Sequence, residues 1–69
     1  MMTKRTRLIE ERSRMGKTQQ QVAADLGVSE VYIRKLESGV SSPGRDMMIR
    51  LQRYYKSPLK KLFPDLFCG

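Results

Sequence analysis

The chain has 69 residues, of which 39% are hydrophobic and only five are aromatic, so it can bury one small core. It has no histidine, so the commonest general base is absent. Its single cysteine, Cys68, is too few for a cysteine–histidine metal cluster. We therefore expect no enzyme, no cofactor and no metal. The net charge of +7 favours a polyanionic partner, and the lack of a long apolar run or a signal segment predicts a soluble, cytoplasmic protein rather than a membrane protein.

The charge is distributed unevenly along the chain. Residues 1–17 contain six basic and two acidic side chains, and residues 45–69 contain the same numbers of each. Residues 18–44 between them contain two basic and three acidic side chains. A nearly neutral central segment is therefore flanked by two basic ones, and any electrostatic attraction to phosphates must come mainly from the flanks.

Hydrophobic spacing and helix-capping residues predict five short helices and no strand. The first extends from about Thr3 to Met15 and ends at Gly16. Thr18 begins the second, and Gln21, three residues later, completes a capping box. Gly27 ends this helix, because glycine readily adopts the left-handed backbone that a helix terminus requires.

The remaining helices are predicted from similar signals. Ser29 is a favourable N-cap for the third helix, and the fourth spans about Arg45 to Lys56. We expect Ser57 to cap a short fifth helix with Pro58 at its first position and Pro64 at its end. All 69 residues then form a single domain of the all-α class.

Residues 18–39 have the spacing of a helix-turn-helix. Two short helices joined by a tight glycine-containing turn cross at a steep angle, and the small side chain of Ala23 lets the second helix lie close to the first. The outer face of the second helix is then free to enter the major groove of DNA. The residues of this face, which we expect to contact bases, are Ser29, Glu30, Val31, Arg34 and Lys35.

This segment resembles the Cro/repressor-type helix-turn-helix regulators of phages and bacteria, the XRE-like family. The resemblance covers about residues 5–64 and is carried by Thr18-Gln19, Val22-Ala23, Leu26–Ser29, Tyr32-Ile33 and Leu36–Gly39, and then by Pro43, Met48, Leu51, Tyr55 and Leu62–Pro64. It implies a lambda-repressor-like domain of five helices. It also implies a homodimer that binds double-stranded DNA at a two-fold symmetric operator, in a bacterial or phage-infected cell.

The resemblance implies roles for individual residues as well. Gln19 is expected to contact a phosphate and to support the second helix of the motif, the recognition helix. Arg12 is expected to form an ion pair with Glu37; the alternative is an Arg12 that is simply exposed to solvent. Family members often carry lysine or arginine in the loop after the third helix, whereas the backbone contacts expected here come from Ser41, Ser42 and Arg45. Tyr32 is interpreted first as a packing residue, whose hydroxyl also reaches the DNA backbone.

Several basic and acidic residues have two interpretations. Arg34 contacts either a base or a phosphate, and Glu30 either accepts a hydrogen bond from a cytosine or only complements the helix dipole. Lys4, Arg5 and Arg7 form either an arm that follows a DNA groove or the exposed face of a frayed helix. A second basic cluster lies either beside the DNA or on the far side of the domain, and consists of Arg50, Arg53, Lys56, Lys60 and Lys61.

The apolar end of the chain, residues 63–69, is a candidate dimerisation tail, unless it only covers the core of its own domain. The sequence as a whole favours a sequence-specific repressor from a phage, a plasmid or a bacterial genome. The alternative is a protein-interaction module, such as an antitoxin or an adaptor with the same fold. The near-neutral recognition helix gives that alternative some support.

Overall fold

The computed structural model describes residues 4–67, and these form six α-helices and no strand. The helices are α1 (Thr6–Arg14), α2 (Gln19–Leu26), α3 (Glu30–Ser38), α4 (Arg45–Tyr55), α5 (Leu59–Leu62) and α6 (Pro64–Phe67). The predicted start of the first helix at Thr3, and Cys68, lie outside the described residues. The all-α class is confirmed, with one helix more than the sequence predicted.

Local capping signals place the helix-turn-helix as predicted. Thr18 Oγ1 accepts a hydrogen bond from the Gln21 N–H at 3.1 Å, and Gln21 Oε1 accepts one from the Thr18 N–H at 2.8 Å. Gly27 ends α2 with a φ of 71°. Ser29 Oγ then accepts a hydrogen bond from the backbone of the first turn of α3. These bonds fix where α2 and α3 begin and end.

The C-terminal segment differs from the prediction. Pro58, not Ser57, is the residue before α5, and the Ser57 hydroxyl is buried without a hydrogen bond. Pro64 begins α6 instead of ending α5. Because a residue before proline is disfavoured in helical conformation, Phe63 interrupts the helix with φ −129° and ψ 63°. Proline lacks an N–H and suits a first helical turn, so a new helix starts there.

One core joins helices α1 to α5, and it also includes Phe63, the residue before α6. Ala23 is 3% exposed on α2, the helix that packs most extensively against α3. Leu62 and Phe63 are completely buried. The start of the predicted dimerisation tail is therefore part of the domain's own core. The buried apolar residues are Leu8, Val22, Ala23, Leu26, Ile33, Leu36, Leu51, Tyr55, Leu62 and Phe63.

Candidate nucleic-acid interface

Helix α3 has one buried face and one exposed face. Ile33 and Leu36 are buried in the core, and the exposed fraction of Val31 on the opposite side is 49%. The predicted base-contacting residues all lie on the exposed side: Ser29, Glu30, Val31, Arg34 and Lys35. The packing of the inner face therefore leaves the outer face of α3 accessible to a ligand as large as a duplex.

Contacts within the exposed face are weak. Arg34 Nη2 lies 3.4 Å from Glu30 Oε2, and both side chains are largely exposed, so this ion pair contributes little stability and can separate on binding. Ser29 Oγ accepts a hydrogen bond from the Tyr32 N–H but keeps its own hydrogen to donate. Lys35 forms no ion pair within the described part of the chain. These side chains retain free hydrogen-bonding groups.

A buried carboxylate fixes the C-terminal end of α3. Glu37 is 4% exposed and accepts hydrogen bonds from Arg12 Nε at 2.7 Å and Gln19 Nε2 at 2.9 Å. Arg12 Nη1 also donates to the Lys17 carbonyl oxygen at 3.0 Å. The expected pairing of Arg12 with Glu37 is thus present and is joined by Gln19. The second N–H of the Gln19 amide remains available to an outside acceptor.

Arg5 is buried, which neither interpretation of the basic N-terminal segment predicted. It is 1% exposed, and its Nη1 donates to the carbonyl oxygens of Leu36 at 2.8 Å and Ser41 at 2.6 Å. Nε and Nη2 donate to the two carboxylate oxygens of Asp65 at 3.2 and 2.9 Å. The Phe63 ring lies beneath the guanidinium, 5.2 Å from centroid to Cζ. Arg5 is therefore neither a DNA-following arm nor an exposed side chain.

The residues next to Arg5 in the sequence do not predict these contacts, because the partners of Arg5 lie 31 to 60 positions away along the chain. An arginine near the start of a helix is usually exposed to solvent. The one available hint was the absence of an acidic residue within four positions of Arg5. That hint does not identify a partner.

Lys4 lies beside the recognition helix. It is exposed and lines a shallow groove of about 360 Å³ together with Gln19, Arg34 and Ser38. Arg7, by contrast, donates to Glu11 at 2.8 Å on another face of α1. Of the three basic residues in the N-terminal segment, only Lys4 therefore extends the surface formed by α3.

The residues expected to contact the DNA backbone have different environments. Ser42 and Arg45 are exposed, and Ser41 is half-buried, with its carbonyl oxygen hydrogen-bonded to Arg5. Tyr32 is half-buried and packs against the core, as a mainly structural residue would. The turn from Gly39 to Gly44, which follows α3, thus presents Ser42, and Arg45 is exposed as the first residue of α4.

The second basic cluster is only partly free. Arg50 donates to the Leu26 carbonyl oxygen at the end of α2, where the helix dipole favours a cation. Lys56 and Lys61 line a groove of about 540 Å³, together with Arg7, Glu11 and Arg14 of α1. Because that face of α1 is turned away from Arg12 and α3, this groove is remote from the recognition helix.

A polar link ties α2 to α4. Asp25 accepts hydrogen bonds from Lys17 Nζ and from the Tyr54 hydroxyl, the latter at 2.6 Å. The bonds from Lys17 and Tyr54 lower the pKa of Asp25, and the bond to Asp25 raises the pKa of Lys17. Lys17 is thus engaged within the domain.

Within residues 4–67, no cluster of acidic residues or cysteines could hold a metal ion. In the same part of the chain no helix is long and apolar enough to cross a bilayer.

A helix pair joined at Gly27, whose second helix is exposed and has Lys4 beside it, defines the class of helix-turn-helix DNA-binding domains. A helix-turn-helix family model matches residues 8–62, and the chain belongs to this family, the Cro/repressor-type (XRE) regulators. It is therefore a DNA-binding regulator domain whose partner is double-stranded DNA. No curated protein and no solved structure matches the chain.

Proposed function

We propose that this protein is a sequence-specific repressor that inserts α3 into the major groove and binds a two-fold symmetric operator as a homodimer. The observation that carries the proposal is the division of α3 into two faces. Its inner face is held by the core and by Glu37, and the five predicted base-contacting side chains of its outer face are all exposed, with only one weak ion pair among them, between Arg34 and Glu30. A rigid helix with a free outer face is suited to direct readout of base edges.

Each exposed side chain of α3 fits a particular base edge. Lys35 is a donor for the O6 and N7 atoms of guanine, and the methyl groups of Val31 fit a thymine methyl. Glu30 is an acceptor for the N4 amino group of cytosine once it leaves Arg34. Arg34 then reaches either a guanine or a phosphate. Ser29 donates its hydroxyl hydrogen to a base at the start of the helix.

Phosphate contacts fall to the residues around α3. Residues 18–44 have more acidic than basic side chains, so attraction to the DNA backbone must come from cations outside the motif. Lys4 and Arg45 are exposed cations that precede and follow the motif in the sequence. Gln19 and Ser42 supply neutral donors, and Ser41 and Tyr32 border the same surface. These contacts would set the register of α3 on the duplex.

Selection of bound duplexes from a random pool tests the proposal. We expect the enriched sites to form an inverted repeat with half-sites about 10 base pairs, or roughly 34–36 Å, apart. A pool without any enriched sequence would contradict sequence-specific binding. Enrichment of one asymmetric half-site would contradict the homodimer alone. Placing the enriched site over a reporter promoter then tests repression, which requires lower transcription when the protein is present.

Three lysine or arginine variants separate base readout from phosphate attraction. Lys35→Ala should reduce the preference at one base step by about 1–3 kcal/mol. Arg45→Ala should weaken binding to selected and random duplexes equally. Lys61→Ala, in the remote groove, serves as the control and should change neither affinity. Equal losses on both duplexes for Lys35→Ala would contradict its assignment to a base.

A further inference from the structure

We propose that Arg5 is a positioning residue for DNA reading, which holds the base-reading helix and the phosphate-contacting turn in one fixed register. The inference rests on the proposed function of α3. Arg5 itself does not reach the DNA, because only 1% of it is exposed. It acts through Leu36 at the end of α3, through Ser41 in the turn, and through Asp65 in α6.

A single nitrogen atom connects the two DNA-facing elements. Arg5 Nη1 donates to the Leu36 carbonyl oxygen at 2.8 Å and to the Ser41 carbonyl oxygen at 2.6 Å. The Arg5 backbone N–H adds a third bond, 2.8 Å from the Glu37 carbonyl oxygen. Carbonyl groups in the last turn of a helix lack intrahelical partners, so these bonds fix that end of α3 as well as the turn beyond it.

The guanidinium is itself held on its other edge. Asp65 accepts from Nε and Nη2 in the bidentate geometry that suits a planar arginine, and the Phe63 ring packs against the guanidinium. A lysine carries its three N–H donors on one nitrogen atom, so it cannot bind the two carbonyl groups and both carboxylate oxygens at once. The side-chain link between the turn and α3 therefore needs an arginine at residue 5 and is supported by a carboxylate at residue 65.

This geometry matters for specific binding more than for random binding. Contacts to phosphates set the register of a protein on DNA, and contacts to base edges distinguish sequences. A specific site requires both sets at once, so α3 and the turn from Gly39 to Gly44 must keep a constant separation. Random DNA satisfies phosphate contacts in many registers and tolerates a looser turn. A merely structural Arg5 would instead lower both affinities alike.

Two variants of the cluster formed by Arg5 and Asp65, and one matched control, test the proposal. Arg5→Lys keeps the positive charge but removes the planar guanidinium, and Asp65→Asn leaves Arg5 in place without its carboxylate partner. Glu11→Gln is the control, because Glu11, like Asp65, is a carboxylate bound by arginine, here by Arg7 and Arg14, but it lies away from α3. Affinities for the selected duplex and for a random duplex of equal length are measured at a temperature where each variant is folded.

We expect Arg5→Lys to lower the ratio of selected to random affinity about tenfold, the size of one lost base contact. Asp65→Asn should lower it in the same direction by a smaller factor, and Glu11→Gln should leave it unchanged. If both cluster variants keep the wild-type ratio while folded, the proposal is wrong. If Arg5→Lys does not fold, the affinity ratio of Asp65→Asn alone tests the proposal.

Hydrogen exchange supplies a second readout that does not depend on DNA. The Val40 and Ser41 N–H groups donate to the Lys35 carbonyl oxygen at 3.0 and 3.2 Å. Their exchange should accelerate in the two cluster variants and not in Glu11→Gln. Unchanged exchange in both variants would overturn the positioning role. Absence of any selected sequence for the wild-type protein would refute the proposed function instead, and exchange would still show whether Arg5 fixes the turn.

Discussion

Arg12 Nε lies 2.7 Å from Glu37 Oε2, and this contact joins α1 to the last turn of α3 across 25 positions of the chain. The carboxylate is almost fully buried and also accepts from Gln19. A buried charge of this kind is costly when unpaired. The recognition helix is therefore fixed at the same end by two separate arginines, Arg12 through a side chain and Arg5 through backbone carbonyl groups.

Loss of Arg12 should destabilise the domain strongly. Arg12→Met leaves the Glu37 carboxylate buried with only the Gln19 amide, which should cost about 3 kcal/mol of unfolding free energy. The double variant Arg12→Met/Glu37→Met should recover most of the lost unfolding free energy, because it also removes the buried carboxylate that has no arginine partner. Urea unfolding of the two variants and the wild type measures both values. A loss below about 1 kcal/mol in the single variant would contradict the importance of this pair.

Lys4 should contribute to binding through phosphate attraction. We expect Lys4→Ala to reduce the slope of log affinity against log salt by about one, on selected and random duplexes alike. Lys61→Ala is the control, since Lys61 lies in the groove remote from α3. An unchanged slope for Lys4→Ala would show that Lys4 does not approach the DNA backbone.

The contribution of Asp65 to stability should depend on pH. Its hydrogen bonds with Arg5 hold the pKa of Asp65 below the ordinary value of 3.8. Because the folded pKa is the lower one, the carboxylate stabilises the fold above pH 3.8, and this contribution is lost as the pH falls through the folded pKa. Wild type and Asp65→Asn should therefore differ most in unfolding free energy near neutral pH and converge in acid.

Urea unfolding of both proteins over a series of pH values checks this prediction. A constant difference down to about pH 2 would mean that the carboxylate is not the stabilising group.

The role of the C-terminal segment in dimerisation needs a point variant. Deletion of residues 63–69 removes Phe63, which is completely buried, and should unfold the domain, since losing a buried phenylalanine costs about 3–5 kcal/mol. Leu66 is 39% exposed, so Leu66→Ser should stay folded and weaken self-association if the tail joins two copies. Circular dichroism and sedimentation measure the two effects. A dimeric Leu66→Ser protein would place the interface elsewhere.

The helix-turn-helix was predictable because its signals are local. The capping bonds of Thr18 and Ser29 span three residues, and Gly27 has the left-handed backbone that ends α2. Such contacts depend on residues adjacent in the chain, so capping patterns identify them. The exposure of Val31 and Lys35 followed from the same helix, because the spacing of Ile33 and Leu36 fixes which side faces inward.

The C-terminal segment was predicted less well. Serine before proline is a usual helix start, yet Ser57 is buried without a hydrogen bond. Phe63 enters the core, and the chain turns there so that Asp65 can meet Arg5. Burial of a phenylalanine and pairing of a distant charge outweighed the local preference.

The sequence by itself determined the all-α class, the limits of α2 and α3, and the outward face of the recognition helix, because each depends on spacing within a few residues. Only the tertiary structure decided that Arg5 is buried, that Lys4 lies beside α3, and that Phe63 belongs to the core. These positions depend on residues far apart in the chain. The energy of a buried ion pair or a packed ring arises only when folding brings its partners together.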